Sequence, residues 1–345
     1  MRKYYAVGMD VHKKTISYCV INACGERVAE GRINANRTEI GDWVKGLRSS
    51  FRGQREFGME ATMFTAWIYD YLESLGCAVK VGSPHKLKAI GAGKKKNDRM
   101  DARALASLLQ ANFFPECFML PRALRELRRA LRYRNLLKCE STRFKNRLGG
   151  FLMEVGEEYD SDKLHQKRYF THLMDNLQDT PASVKNLLML ARGSVEAFEQ
   201  NQRMIVRELE KHTLLSERVT RLQSIRGVGP ITALTWALEI GDPWRFSSVK
   251  KAVSYCGLCS ALRESAGKST RGPLSKQRNP HIQWVLIEAA KKGPTFNPQL
   301  KEAHDKALAE GANSNQATLA VARKLVAYLM CVDKTQKEFT MFTRA

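Results

Sequence analysis

The chain has 345 residues, enough for two or three domains, and its 57 lysines and arginines against 35 acidic residues leave a net charge of +22. The bases run through the whole sequence, so folded domains carry them, and the partner they point to is a polyanion, nucleic acid above all. There is no membrane-length apolar run and no signal-peptide pattern, and the eight scattered cysteines hold only one CxxC, at Cys256 and Cys259. That argues against a membrane protein and a zinc site and for a reducing cytoplasm.

Residues Tyr4 to Asp10 read as a buried strand ending in a carboxylate, and Thr15 to Ile21 and Arg27 to Ile33 as two further strands of an antiparallel meander. A helix is predicted near Thr38 to Leu47. Arg55 to Glu60 is a fourth strand, again ending in a carboxylate. Ala66 to Leu75 is an amphipathic helix, Ala78 to Val81 a fifth strand, and Pro84 starts another helix. This order predicts an α/β domain of the ribonuclease H-like (RuvC-like) class over 1–155. An actin-like ATPase opens with a similar strand-turn-strand, but it uses Gly-rich phosphate turns, and here Val11-His12 follows Asp10.

Asn97 is placed to cap a helix running to Ala111, with Asp98 and Asp101 in its first turn, where the helix dipole favours negative charge. Three residues apart, they share one helix face. Lys94, Lys95 and Lys96 stand just before them. Paired carboxylates beside a basic run suit a divalent metal and a phosphate, and an ordinary capped surface helix is the alternative. With Asp10 and Glu60 the candidate metal set has four carboxylates.

Arg122 to Arg147 is the most basic segment, with a helical leucine stripe and only Glu126 and Glu140 to offset it. Arg125, Arg128, Arg129 and Arg132 are its candidate phosphate contacts, which position a duplex without reading sequence. An inert solvated face is the alternative. Glu157 to Asp179 shows no clear periodicity. After Thr180-Pro181, apolar residues from Val184 to Leu209 recur at spacings of four and three, a heptad seam interrupted by Gln202 and followed by His212. The segment 156–215 therefore reads as a coiled-coil or dimerisation linker, or else as a long helix packed in its own domain.

Ser224 to Ile231 resembles a helix-hairpin-helix, in which Arg226 and the backbone at Gly227 and Gly229 would approach a phosphate. Ser247 to Cys256 is a helix. Arg263 to Pro273 reads as a long loop rich in Gly, Ser and bases, with Lys268 and Arg271 able to hold a phosphate; no P-loop motif is present. Helices are expected over His281 to Lys291, Pro298 to Ala309 and Gln316 to Tyr328, so that 216–345 is mainly α.

The blocks GMDVHKK, MEAT, KKNDRMDARALA, SIRGVGPITA and YCGLCSALRESAGKSTRGPLSKQRNPHIQWVLIEAA, in this order, resemble the IS110 insertion-sequence transposases over nearly the whole chain. The resemblance implies a RuvC-like DEDD domain, a coiled-coil linker and a C-terminal transposase domain, in a prokaryotic, nucleoid-associated enzyme. It places the DEDD set on Asp10, Glu60, Asp98 and Asp101, with Mg²⁺, or Mn²⁺, as cofactor. It places an essential serine at Ser265, before Gly272-Pro273-Leu274-Ser275-Lys276. Glu264 and Ala266 depart from the family pattern there, so Ser269 and Ser260 stay open as nucleophiles. The resemblance further implies a phosphoserine DNA intermediate, guidance by a structured bridge RNA, donor and target duplex DNA as partners, and a homodimer assembling to a homotetramer whose sites are shared between subunits. Two rival functions remain: a RuvC-like, metal-dependent DNA endonuclease that uses water, and a non-catalytic nucleic-acid binder. A covalent protein–DNA adduct separates the first from a serine recombinase.

Overall fold

The computed structural model describes residues 4–90, 97–265 and 268–341, with the backbone alone over 261–271. The chain divides into two compact units, 1–122 and 123–345. The basic helix, from Arg122 to Glu154, lies in the second unit but for its first residue.

The first unit is built on strands β1 (Tyr4–Val11), β2 (Thr15–Asn22) and β3 (Arg27–Asn34), helix α1 (Arg37–Ser50), strand β4 (Gln54–Glu60), helix α2 (Thr65–Ser74), strand β5 (Ala78–Gly82) and helices α3 (Pro84–Ile90) and α4 (Asp98–Gln110). The five strands form one mixed sheet in the order β3-β2-β1-β4-β5. The first three are the expected antiparallel meander, while β4 and β5 run parallel to β1.

Alternation along β1 sorts its side chains. Val7, Met9 and Val11 join Phe57, Met59, Ile40, Val44, Ile68 and Leu72 in one core. Gly8 faces α4, whose Ala102 and Ala106 pack with Cys19 and Ile21. A Cβ on Gly8 would stand 2.1 Å from the Ala102 carbonyl oxygen, so only glycine lets α4 lie directly on the strand. Arg103 pins the helix to β3 through paired hydrogen bonds to Glu30, both 2.9 Å.

The second unit is mainly helical: α5 (Arg122–Glu154), α6 (Lys167–Asn176), α7 (Ala182–Lys211), α8 (Ser216–Gln223), α9 (Pro230–Ile240) and α10 (Val249–Tyr255), then a hairpin of β6 (Ser260–Ser265) and β7 (Lys268–Leu274), then α11 (Pro280–Phe296), α12 (Pro298–Ala309) and α13 (Ser314–Thr335). Three features add to the sequence reading. The segment 157–179 contains α6, whose Phe170, together with Leu177 just after the helix, packs with Leu148, Leu152 and Leu188; its apolar face is too short to stand out among polar neighbours. Helix α7 packs against α5, with Phe144 and Phe198 rings 5.6 Å apart and Lys145 bonded to Glu199 at 2.6 Å. The basic segment after Cys259 is a β-hairpin, with Ser265 opposite Lys268.

The main core of this unit surrounds α9, whose Trp236 is fully buried and donates to Asp333 at 2.9 Å. Arg218 of α8 meets the same carboxylate with bonds of 2.7 and 2.6 Å, tying α8 and α9 to α13.

Candidate functional site

The acidic residues of the first unit are positioned by the sheet and α4. Met9 of β1 lies opposite Met59 of the parallel β4. Asp10 and Glu60 therefore follow side by side at the strand ends. Both alternate onto the α4 face, as do Gly8 and Gly58, where a Cβ would crowd Leu109. The carbonyl of Glu60 is fixed by the buried Thr65 hydroxyl, which donates at 2.9 Å. Asn97 caps α4 as expected, its side chain accepting from the Met100 N–H, and this sets Asp98 and Asp101 in the first turn.

Asp10, Asp98 and His12 bring one ligand atom each within 4.8 Å of one another. The Nε2 of His12 lies 3.0 Å from Asp10 and 3.5 Å from Asp98. Arg32 stands 3.6 Å from the other Asp98 oxygen. Burial pushes the Asp10 carboxyl up; His12 pulls it down, and Asp101 and Asp98 push it up by repulsion. Asp101 thus acts on Asp10 through space without entering the tight cluster, and Glu60 is likewise outside it. His12 is the residue that sequence reasoning passed over. It stands two positions after Asp10, and no local pattern marks it as facing Asp98.

The basic candidates sort by what surrounds them. Arg129 is exposed. Arg132 makes paired 2.8 Å bonds to Glu239, whose side chain is fully buried, so its charge is committed inside the fold. Burial pushes the Arg128 guanidinium below its usual range, with Arg132 beside it acting the same way. Arg125 is half-buried. Lys94, Lys95 and Lys96 lie outside the described residues, as do the side chains of Ser265, Ser269, Lys268 and Arg271. The backbone of Ser265 ends β6. Ser260 opens that strand and lines a cleft with Lys250, Arg323 and Lys324.

The connector from Ser224 to Gly229 joins α8 to α9. Gly227 takes a positive φ of 97°, and a Cβ there would stand 3.2 Å from the Gly293 Cα. Arg226 and Gly229 on either side are exposed.

A family model described as a transposase of the IS110 DEDD type matches residues 7–156, and a second, described as a transposase of the IS116/IS110/IS902 family, matches residues 219–305. The chain belongs to the IS110 transposase family. The transposase for insertion sequence element IS1533 of Leptospira borgpetersenii is 26% identical over 300 residues, covering 84% of this chain and 85% of its own. That for IS1111A of Coxiella burnetii is 24% identical over 333 residues, covering 94% and 88%. A putative transposase, y4qE, of Sinorhizobium fredii is 25% identical over 286 residues, covering 82% and 70%. As a member of this family the chain is a DNA-processing enzyme, and its acidic residues fall within the DEDD match. No helix among the described residues is long and apolar enough to cross a membrane.

Proposed function

We propose that this IS110-family transposase cuts and rejoins DNA through the hydroxyl of Ser265, assisted by a divalent cation at the acidic set and guided by a structured RNA. The observation that carries the reading is the placement of Asp10, Glu60, Asp98 and Asp101 at one end of the α4-covered sheet face, on the pattern of a ribonuclease H-like (RuvC-like) domain. The connector after α8 is read as a helix-hairpin-helix that approaches backbone phosphate.

The donor set fits a hard cation. Carboxylate oxygens of Asp10 and Asp98 converge, and the repulsion that raises Asp10 is relieved by positive charge. Oxygen-rich donors favour Mg²⁺ or Mn²⁺, which Asp10 and Asp98 would hold, with Glu60 and Asp101 completing the set. When bound, the ion polarises the scissile phosphate and stabilises the leaving oxygen. His12 orients the Asp10 carboxylate through their 3.0 Å contact. Attack by Ser265 forms an Oγ–P bond as a P–O bond of the DNA breaks. The serine proton is given up to solvent, and the departing sugar oxygen gains one. One phosphoester replaces another, so the reverse attack rejoins DNA without an outside energy source. Guidance by bridge RNA and assembly of dimers into a tetramer rest on the family resemblance.

The test is recombination of labelled donor and target DNA with Mg²⁺ and the co-purifying RNA. Asp10→Asn and Asp101→Asn keep side-chain shape and remove charge. Both should abolish strand cleavage and leave RNA binding nearly intact. Normal recombination by both variants would refute the metal site.

A further inference from the structure

A second feature lies within the 123–345 unit. Arg134, on α5, is buried, with 7% of its surface exposed. Its Nη1 donates to Asn135 at 3.1 Å, but its Nε is buried without a partner. No carboxylate among the described residues pairs with it, and burial alone lowers its pKa. A buried guanidinium without an anion is costly, so an unmatched one asks what anion completes it.

Arg134 lines a cleft of about 490 Å³ that also contains the start of α9. That helix begins without a side-chain cap: Gly229 occupies the N-cap and Pro230 follows. The N–H groups of Ile231 and Thr232 are those a capping side chain would otherwise take. Gly229 has an ordinary φ of −88°, and a Cβ built there meets nothing within 4 Å. Neither backbone strain nor internal packing explains a glycine at this position, whereas close approach by an outside group does. Arg203 and Arg207 of α7 line the same cleft. Of the two acids present, Glu199 is paired with Lys145 at 2.6 Å, and Glu210, which accepts from the neutral Gln223 at 3.5 Å, is outnumbered by the three arginines.

We propose that this cleft seats one backbone phosphate of a nucleic acid, its oxygens accepting from the Ile231 and Thr232 N–H groups and from the Arg134 guanidinium, with Arg203 and Arg207 holding the flanking backbone. The inference rests on the reading of the connector after α8 as a helix-hairpin-helix and adds to it the guanidinium of Arg134 and the flanking Arg203 and Arg207. DNA and RNA backbones share this chemistry, and separate arms of the test tell them apart.

The experiment measures fluorescence anisotropy of a labelled DNA duplex and, separately, a labelled RNA hairpin against the full-length protein over a salt series. Arg134→Gln should weaken binding about tenfold and flatten the log–log salt slope by about 0.9 for duplex DNA or about 0.7 for a single strand. Arg203→Ala with Arg207→Ala should flatten it further. Gly229→Asn fills the cap with a neutral amide: its melting temperature should be no lower than that of the wild type, yet its affinity should fall, a split that a purely structural role does not produce. Loss with DNA alone assigns the seat to DNA, and loss with RNA alone to RNA. Wild-type slope and affinity in folded Gly229→Asn and in Arg203→Ala/Arg207→Ala overturn the site, even if Arg134→Gln does not fold. Failure of the wild type to bind either nucleic acid would instead sink the functional reading itself.

Discussion

At the scale of single residues, the geometry of the acidic set depends on a residue with no side chain. Gly8 lets the Ala102 carbonyl and the Ala106 amide touch β1, and Asp98 lies one helical turn before Ala102. Gly8→Ala drives a methyl into backbone that has nowhere to move. The expected cost is about 1–3 kcal/mol, with α4 displaced and cleavage lost although every carboxylate is retained. A thermal melt lowered together with lost cleavage supports this; full cleavage by Gly8→Ala would show that the helix need not sit so close. His12→Ala tests a different point. The imidazole is exposed and packs in no core, so the variant should melt like the wild type while cleavage falls through a less well held Asp10. Unchanged cleavage would remove His12 from the site.

At the scale of elements, α5 is a packed helix with a few outward bases, and its arginines are not equivalent. Arg129→Ala removes an exposed charge. It should flatten the salt dependence of DNA binding by about one unit, with no change in stability. Arg132→Ala leaves the buried Glu239 carboxylate without its cation, held only by the Asn279 amide, and should cost about 3 kcal/mol, the low end of the usual range because that amide stays and solvent reaches Arg132. The pair also sets a pH dependence. Burial raises the Glu239 carboxyl, but the bonds from Arg132 and Asn279 outweigh it and hold the group below its ordinary range. A depressed carboxylate contributes its stability above the unfolded pKa and loses it as pH falls through the folded one. Glu239→Gln paired with Arg132→Met should therefore flatten the acid limb of the stability curve, measured by urea unfolding at successive pH values; an unaltered limb would mean that other carboxylates carry it. Much of the element order was legible because β1 and β2 are rich in β-branched and aromatic residues and α1 and α4 each follow an Asn cap. Asn97 was readable as a cap since an Asn before a good helix former has few other uses. What stayed hidden was pairing. A heptad seam says that a helix wants a partner, not which one, and α5 of the same chain packs against it. The hairpin of β6 and β7 was hidden by Gly, Ser and bases that give no alternation. The approach of His12 to Asp98 joins residues far apart in sequence, and no local pattern encodes it.

At the scale of the whole molecule, the acidic set belongs to the first compact unit and Ser265 to the second, so each can be disabled separately to test the proposed sharing of sites between subunits. The prediction has two steps. Ser265→Ala should bind DNA and RNA like the wild type yet form no covalent adduct, seen as the absence of a slow band when labelled target DNA is run under denaturing conditions. Ser265→Cys should retain a trace, because a thiolate is a good nucleophile. An adduct mapped to Ser269 or Ser260 would move the nucleophile, and cleavage without any adduct would favour the water-using nuclease. The second step mixes two dead proteins, Asp10→Asn and Ser265→Ala, of different tagged sizes. If each site draws its carboxylates and its serine from one chain, every site in the mixture lacks a component and cleavage stays absent. If the sites are shared, an Asp10→Asn subunit lends its intact Ser265 to the intact carboxylates of its neighbour. Activity should then return to a fraction of the wild-type level, with the adduct on the Asp10→Asn chain alone. No recovery, under conditions where size-exclusion chromatography shows the two chains co-assembled, would confine each site to a single subunit.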